Sequence, residues 1–542
     1  MKKWSVVIIL GAAQFVMVLD GTVMNVSIST VVRDLDTSVG AMQAAITFYT
    51  LTMAAVMLLG AKLGDIWGRR RAFVIGACVY ATGSLITALS PNIAFLFFGW
   101  SIIEGLGAVL VIPAIAALVA DNYKDSDRIT AYAIIGAVSG AAVAAGPLIG
   151  GFVTTYFSWR YVFLAEVVIM AAVVLFSRRV TDATSRVPGR IDIPSVLLSA
   201  SGLVFVVFGM LQSKTWGWFQ PLASPEIGGV AIAPLGISLT AWLILAGVVL
   251  ISAFIRRQSS LVRRGRDPLV HVEMFSIRQL RSGLSVLGAQ YAVTAGLFFM
   301  VPVYLQMTLG LDALDTGIKI FPLSVSLILF SIVGTRLSTL WSPRRIVRVG
   351  QLTLVLSALL LLAAATEDLR SALFAAGMFL AGAALGLLAS QLGNVNMSAV
   401  TEKESSEVGG LQGVFQNLGS SLGTALIGSI LIGALATSFA GGVASSDLPA
   451  QARSLISEAT EKGVTIVPAD TVAALGEKAG LSDSEAGQLA TIYRDSQLSS
   501  LRVAFFGLIV ISALALLFSR GIPSEVPRRP KRDPRLSASR RA

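Results

Sequence analysis

Fourteen stretches of this chain are apolar enough, over enough residues, to cross a bilayer, and that excludes most folds. A helix needs about 20 apolar residues to traverse the hydrocarbon. Runs of that kind lie near 5–29, 41–62, 72–90, 93–119, 130–155, 161–177, 193–213, 230–255, 282–305, 317–337, 349–366, 371–397, 408–436 and 501–519. In lipid, backbone N–H and C=O groups must be satisfied within the protein, so these runs read as helices. With 55% hydrophobic and 13% charged residues over 542 positions, a soluble multi-domain protein is excluded. The expected fold is an all-α polytopic membrane protein.

An even number of spans puts both termini on one side. Of the 42 Lys and Arg, 32 fall in segments on that side, seven of them in 256–281 and eight in 520–542. Basic loops mark the cytoplasmic face, so both termini are expected there. The net charge of +11 then needs no nucleic acid to explain it, because basic inner loops rest on anionic headgroups. Met1-Lys2-Lys3 before an apolar run imitates a signal peptide, but Asp20 and Asn25 interrupt that run and no small-residue cleavage site closes it, so it reads as the first span. The single Cys78 reads as packing within a span, and the single His271 as a solvated residue of a basic loop.

Three carboxylates, Asp20, Glu104 and Glu166, sit inside apolar runs. Ionisable groups at bilayer depth are costly and usually face a bundle interior or an ion or substrate path. On a helical wheel of the first span, Phe15, Val16, Leu19, Val23 and Val26 form one apolar arc, expected to face lipid, and Asp20 turns toward protein. Glu166 lies about two turns from Arg160, so an interfacial ion pair between them stands beside a substrate role.

The chain repeats itself weakly. Gly60, Leu63, Trp67, Arg70 and Arg71 recur as Gly334, Leu337, Trp341, Arg344 and Arg345. Gly136, Gly140, Gly146 and Gly150 recur as Gly409, Gly413, Gly419 and Gly423. Duplicated halves meeting at a midplane site are the common build of secondary transporters. The expected organisation is an N-terminal six-helix bundle (1–192), an inserted helix pair (193–255), a basic linker (256–281), a C-terminal six-helix bundle (282–519) and a basic tail (520–542). Residues 437–500 carry helix-start signals at Asp447, Asp470 and Ser482 with Glu485, and are expected to form an amphipathic helical hairpin outside, with a floppy insertion as the other reading.

Residues 60–73, GAKLGDIWGRRRAF, resemble the cytoplasmic loop signature of the major facilitator superfamily. Gly60, Gly64 and Gly68 permit close helix approach, and Asp65 can pair with Arg69, Arg70 or Arg71 as a latch that breaks when the inner side opens. Residues 136–151, GAVSGAAVAAGPLIGG, resemble the fifth-helix signature of its antiporter branches, in which Gly136, Gly140, Gly146, Pro147, Gly150 and Gly151 form a packing seam with a bend at the proline. Residues 19–29, LDGTVMNVSIS, including Asp20 and Asn25, resemble the first-helix signature of the fourteen-span drug:proton antiporters, which include pumps for quaternary ammonium compounds. The resemblance implies two six-helix bundles plus two extra helices in a bacterial plasma membrane.

The chain departs from that pattern in the fourth span. Where the family carries R-x-x-Q-G, with the arginine tied to coupling, this chain has Ser101 and Glu104. In the sixth span Glu166 replaces an asparagine, and Thr30 replaces the last proline of the first-helix motif. Glu104 lies about 60° around the helix from Ser101, so Asp20 and Glu104 could form a proton-exchanging pair in place of the arginine.

No nucleotide-binding, zinc-protease or nucleophile-elbow motif is present, so an ATP-driven pump and an enzyme are not expected, and neither a cofactor nor a metal is implied. The leading expectation is proton-coupled export of lipophilic, cationic small molecules by a monomer, with the substrate, protons and membrane lipids as partners. An exporter of a lipid, glycolipid or metabolite is the alternative. A sensor that kept the fold without turnover is a third reading, against which the retained latch and acids weigh.

Overall fold

Each apolar run becomes a helix. The computed structural model describes residues 4–182, 191–222, 225–227, 230–366, 371–400, 405–450, 453–454, 456, 460 and 464–525. The first half comprises α1 (Ser5–Val26), α2 (Val39–Trp67), α3 (Arg69–Ala88), α4 (Ile93–Asn122), α5 (Asp125–Tyr156) and α6 (Arg160–Phe176). Then come α7 (Ile193–Trp216) and α8 (Leu239–Arg263). The second half holds α9 (Arg278–Val303), α10 (Ala313–Leu337), α11 (Pro343–Ala364), α12 (Ser371–Met397), α13 (Ser405–Ala444) and α14 (Asp483–Phe518). These are the fourteen expected spans, with ends that move by several residues.

The last span moves most, its helix starting at Asp483 rather than near 501, and the eighth starts at Leu239 rather than near 230. Pro234 opens a tight turn in which Leu235 and Gly236 take positive φ (57° and 71°), so no helix passes through it. Before the turn, Glu226–Ile227 and Val230–Ala231 pair as a two-residue antiparallel ladder.

The halves touch along two seams, α2 against α13 and α5 against α10. The inserted α7 and α8 pack on each other, and α7 rests against α2 and α13. Lys214 of α7 donates to Gln43 Oε1 (2.9 Å), and Gln43 Nε2 donates to the Thr424 and Ala425 carbonyls (3.1 and 3.2 Å), so one polar chain ties the pair to both halves.

At the start of α7, Asp192 accepts from Arg257 Nε and Nη2 of α8 (2.6 and 2.7 Å) and from the Ser195 N–H (3.2 Å). The Arg257 hydrogen bonds, helped by Ser195, hold the Asp192 carboxyl down at about 2. An unfolded aspartate ionises near 3.9, so the stabilisation is complete above that pH and fades as pH falls toward 2. Asp192→Ala therefore costs about 1 kcal/mol at pH 7, the usual loss of a helix cap. Reversible unfolding in mild detergent checks this, and variant and parent converge at low pH.

The segment expected as an outer helical hairpin, 437–500, is described in part. α13 runs straight to Ala444, and α14 is one continuous helix from Ser482, whose capping box forms as anticipated (Ser482 N–H to Glu485 Oε2, 2.8 Å). Between them a short helix, Ala469–Lys478, packs on the extension of α14. Asp447 lies just past α13, and the residues after Pro449 are described only in part; the tail beyond Glu525 lies outside the described residues.

Two smaller expectations are corrected. The apolar arc of α1 does not face lipid: Val16, Val23 and Val26 are buried, and Leu19 and Val23 pack with Ala142 of α5 and Val162 of α6, because α1 is an interior helix. Cys78 is exposed on the outer surface of α3 rather than packed inside. His271 lies in the linker as expected, exposed, with its Nδ1 2.8 Å from Glu407 Oε2.

Candidate functional site

The three embedded acids come from three helices and meet in one place. Asp20 projects from α1, Glu104 from α4 and Glu166 from α6, and one carboxylate oxygen from each lies within 4.8 Å of the others. All three side chains are buried.

Local backbone sets this depth. Over Phe97–Glu104, α4 widens into a π-helical turn, a feature common at functional sites, which carries Trp100, Ser101 and Glu104. α3 passes so close that a Cβ on Gly83 would lie 2.5 Å from the Glu104 nitrogen, and one on Gly107 would run into the Tyr80 backbone. Glycine at both positions lets two backbones touch and pushes Glu104 into the bundle.

The donors are few. Trp100 Nε1 donates to both oxygens of Asp20 at 3.0 Å, and its ring stacks on Tyr49 (4.8 Å between centroids). Ser84 Oγ lies 3.0 Å from Glu104 Oε2 and 3.2 Å from Glu166 Oε2, so its one proton serves one carboxylate at a time. Glu166 Oε1 has no hydrogen-bond partner. Among the described residues no lysine, arginine or histidine forms an ion pair with any of the three. Two unit charges this close repel by roughly 3–4 kcal/mol at an effective dielectric of about 20, so the cluster attracts any positive charge that can enter.

Three carboxylates could also hold a hard metal ion. Both Asp20 oxygens already accept from the Trp100 indole, a donor that cannot ligate a metal, so the set fits a proton or an ammonium better.

Other candidates separate from the cluster. Arg160 does not pair with Glu166: it binds Asp34 (3.1 Å), donates to the Ser90 carbonyl (3.1 Å) and lies over the Trp159 ring. Ser101, at the position where an arginine was anticipated, donates to the Ala45 carbonyl (2.8 Å). Asn25 Nδ2 turns back to the Gly21 carbonyl of its own helix (2.6 Å).

In the loop motif, Gly68 at φ 96° breaks the chain between α2 and α3, and Gly60 abuts the Val109 backbone. Arg69 is the basic member, 3.8 Å from Asp65 and 3.1 Å from Asp121 at the end of α4; this nearer acid was not foreseen. The Arg70 backbone N–H donates to Asp182 (3.2 Å), and Arg71 is exposed. In the second copy Arg345 stacks on Trp341, and Arg344 donates to the Ile522 carbonyl (2.7 Å).

The glycine motif of α5 is half a seam. Gly146 and Gly150 face Thr22 and Val23 of α1, as Gly419 and Gly423 of α13 face Gly288 and Ala292 of α9, so the sequence repeat has a spatial counterpart. Gly151 and the Pro147 carbonyl meet Ala313 and Gly317 of α10. Gly136 and Gly140 meet nothing within 4 Å, contrary to a seam along the whole motif. The α5–α10 seam is tight on the side opposite the termini, at Gly151 and Gly317, where Gln306 Nε2 also donates to the Val26 carbonyl (2.7 Å) and the Leu314 N–H to Thr155 Oγ1 (3.1 Å).

The family described as the Major Facilitator Superfamily matches residues 10–424. The chain belongs to the Major Facilitator Superfamily. Its members here include the puromycin resistance protein of Streptomyces alboniger, 29% identical over 80% of this chain and 83% of that one. The tetracenomycin C resistance and export protein of Streptomyces glaucescens is 27% identical over 96% and 92%. Among solved structures, a bacterial homologue of the human lysosomal transporter Spinster superposes with a TM-score of 0.60 at 15% identity (96% and 98% covered). A D-xylose–proton symporter gives 0.58 at 11% (97% and 99%). The superfamily fold, two six-helix bundles plus the α7–α8 pair, therefore carries a small-molecule transporter rather than an enzyme.

Proposed function

We propose that this transporter exports lipophilic, cationic small molecules in exchange for protons, from a bacterial plasma membrane with both termini in the cytoplasm. The observation that carries the reading is the cluster of Asp20, Glu104 and Glu166, buried together with no basic partner among the described residues. A proton and a cargo ammonium compete for the same negative charge, so protonation from outside releases the cargo and permits return. Relatives named for drug resistance and export support a drug-like cargo. Asp65 with Arg69 and Asp121 serves as the cytoplasmic latch, and the α5–α10 contact as the outer gate. Each chain holds both halves and the whole acid cluster, which supports action as a monomer with lipid as its surroundings.

Competition of this kind is read directly in weakly buffered detergent solution near neutral pH. Adding a lipophilic cationic dye to the pure protein releases protons in proportion to dye bound. Saturable dye binding with no proton release would sink the exchange reading.

A further inference from the structure

A crevice of about 320 Å³ opens on the side of the first half, between α1, α5 and α6. Its volume is within the range of small-molecule sites. Val153 of α5, Phe157 just past its end, and Tyr161 and Val162 of α6 wall it, with the buried Leu19 and Glu166 also lining it. The rim is exposed and apolar: Ile149 is 38%, Phe157 64% and Tyr161 55% accessible, on helix surfaces that face the bilayer of a membrane-spanning chain. Glu166 is the one charged lining residue, 1% exposed, with Oε1 unpartnered. Glu166 is a member of the acid cluster, so the crevice reaches that cluster from the exposed side of the first half.

We propose that this crevice is a lateral binding site for a lipophilic amine, which lays its apolar body between Val153, Phe157 and Tyr161 and points its ammonium at Glu166. The walls exclude a hydrophilic cargo, because burying polar groups there without hydrogen bonds is costly. The buried acid disfavours a neutral hydrocarbon or acyl chain, which leaves its carboxylate unpaired. Both features are met together by an amphiphilic cation arriving from the membrane. The site lies at the depth where α5 ends and α6 begins, in the leaflet opposite the termini. The inference rests on the cation reading above and deepens it, by giving that cargo a membrane route to the acids.

The test is photolabelling of the full chain in nanodiscs of phosphatidylethanolamine and phosphatidylglycerol. The probe is an alkyl ammonium with a diazirine on its chain, and the comparison is the alcohol of the same chain. Mass spectrometry is expected to place saturable label on Val153, Phe157 or Tyr161, at least about tenfold above the alcohol, a difference of 1.4 kcal/mol. Ala165→Trp fills the crevice from an exposed position and is expected to remove at least about nine-tenths of that label. If that variant misfolds, Val153→Trp does the same from the opposite wall. Label elsewhere, equal labelling by the alcohol, or a phospholipid that the ammonium does not displace overturns the proposal. Label in the crevice without proton release on binding would keep this site and refute the exchange reading; proton release without crevice label would do the reverse.

Discussion

Asp20→Asn is expected to abolish proton release on cargo binding and to weaken cargo binding by roughly 10- to 100-fold, the loss of one charge-assisted hydrogen bond. The substitution preserves shape, and the Trp100 indole can still donate to the remaining oxygen. What disappears is one of the three charges for which proton and ammonium compete, the one that Trp100 holds in place. The variant's thermal stability is expected to equal or exceed that of the parent, since it relieves repulsion inside the Asp20–Glu104–Glu166 cluster. That pairing of outcomes separates roles: an acid kept for structure would lose stability on neutralisation, whereas an acid kept for exchange loses only function. Trp100→Phe serves as the comparison. It keeps the charge of Asp20 but removes its donor, so proton release survives while cargo affinity falls by a smaller factor.

The second large effect concerns the gate. A Cβ on Gly317 would overlap the Pro147 carbonyl, and one on Gly151 would sit 2.5 Å from the Ala313 carbonyl. Neither neighbour is a flexible side chain, so α5 and α10 must part. Overpacking of this kind costs about 1–3 kcal/mol, which shifts a two-state population by up to roughly 100-fold. Gly317→Ala is therefore expected to open the side opposite the termini and to stall transport at least about tenfold, with folding retained. The readout is labelling of a cysteine introduced at Leu314, on a background in which Cys78 is serine. Labelling rises in Gly317→Ala if the seam is the gate and stays at the parent level if it is not. Gly136→Ala, where no atom lies within 4 Å, is the matched substitution with no expected effect.

Much of this was legible in the chain itself, for particular physical reasons. Length and hydropathy mark fourteen helices because lipid leaves the backbone no alternative. The acids stand out because charge is rare at that depth, so Asp20, Glu104 and Glu166 are visible without any structure. Their convergence is not visible, since it depends on the π turn at Phe97–Glu104 and on the approach at Gly83. Ser84 and Trp100 gave no signal, because serine and tryptophan in a span are usually packing.

The apolar arc of α1 misled for a related reason. Lipid tails and neighbouring helices are equally apolar, so a wheel cannot say which of them Val16 and Val23 touch. Long-range pairs were also hidden: Arg160 turns to Asp34 and Arg69 to Asp121, acids 126 and 52 positions away. The eighth span began late because a proline turn outweighs hydropathy, as Pro234 and the residues after it show.

The most direct measurement places the pure protein in liposomes, imposes a pH gradient, and follows a lipophilic cationic dye beside Asp20→Asn. Dye is expected to move against its own gradient, with that movement collapsing on addition of a protonophore and lost in the variant. Movement indifferent to the gradient, or retained in Asp20→Asn, or absent altogether with insertion verified, would contradict proton exchange.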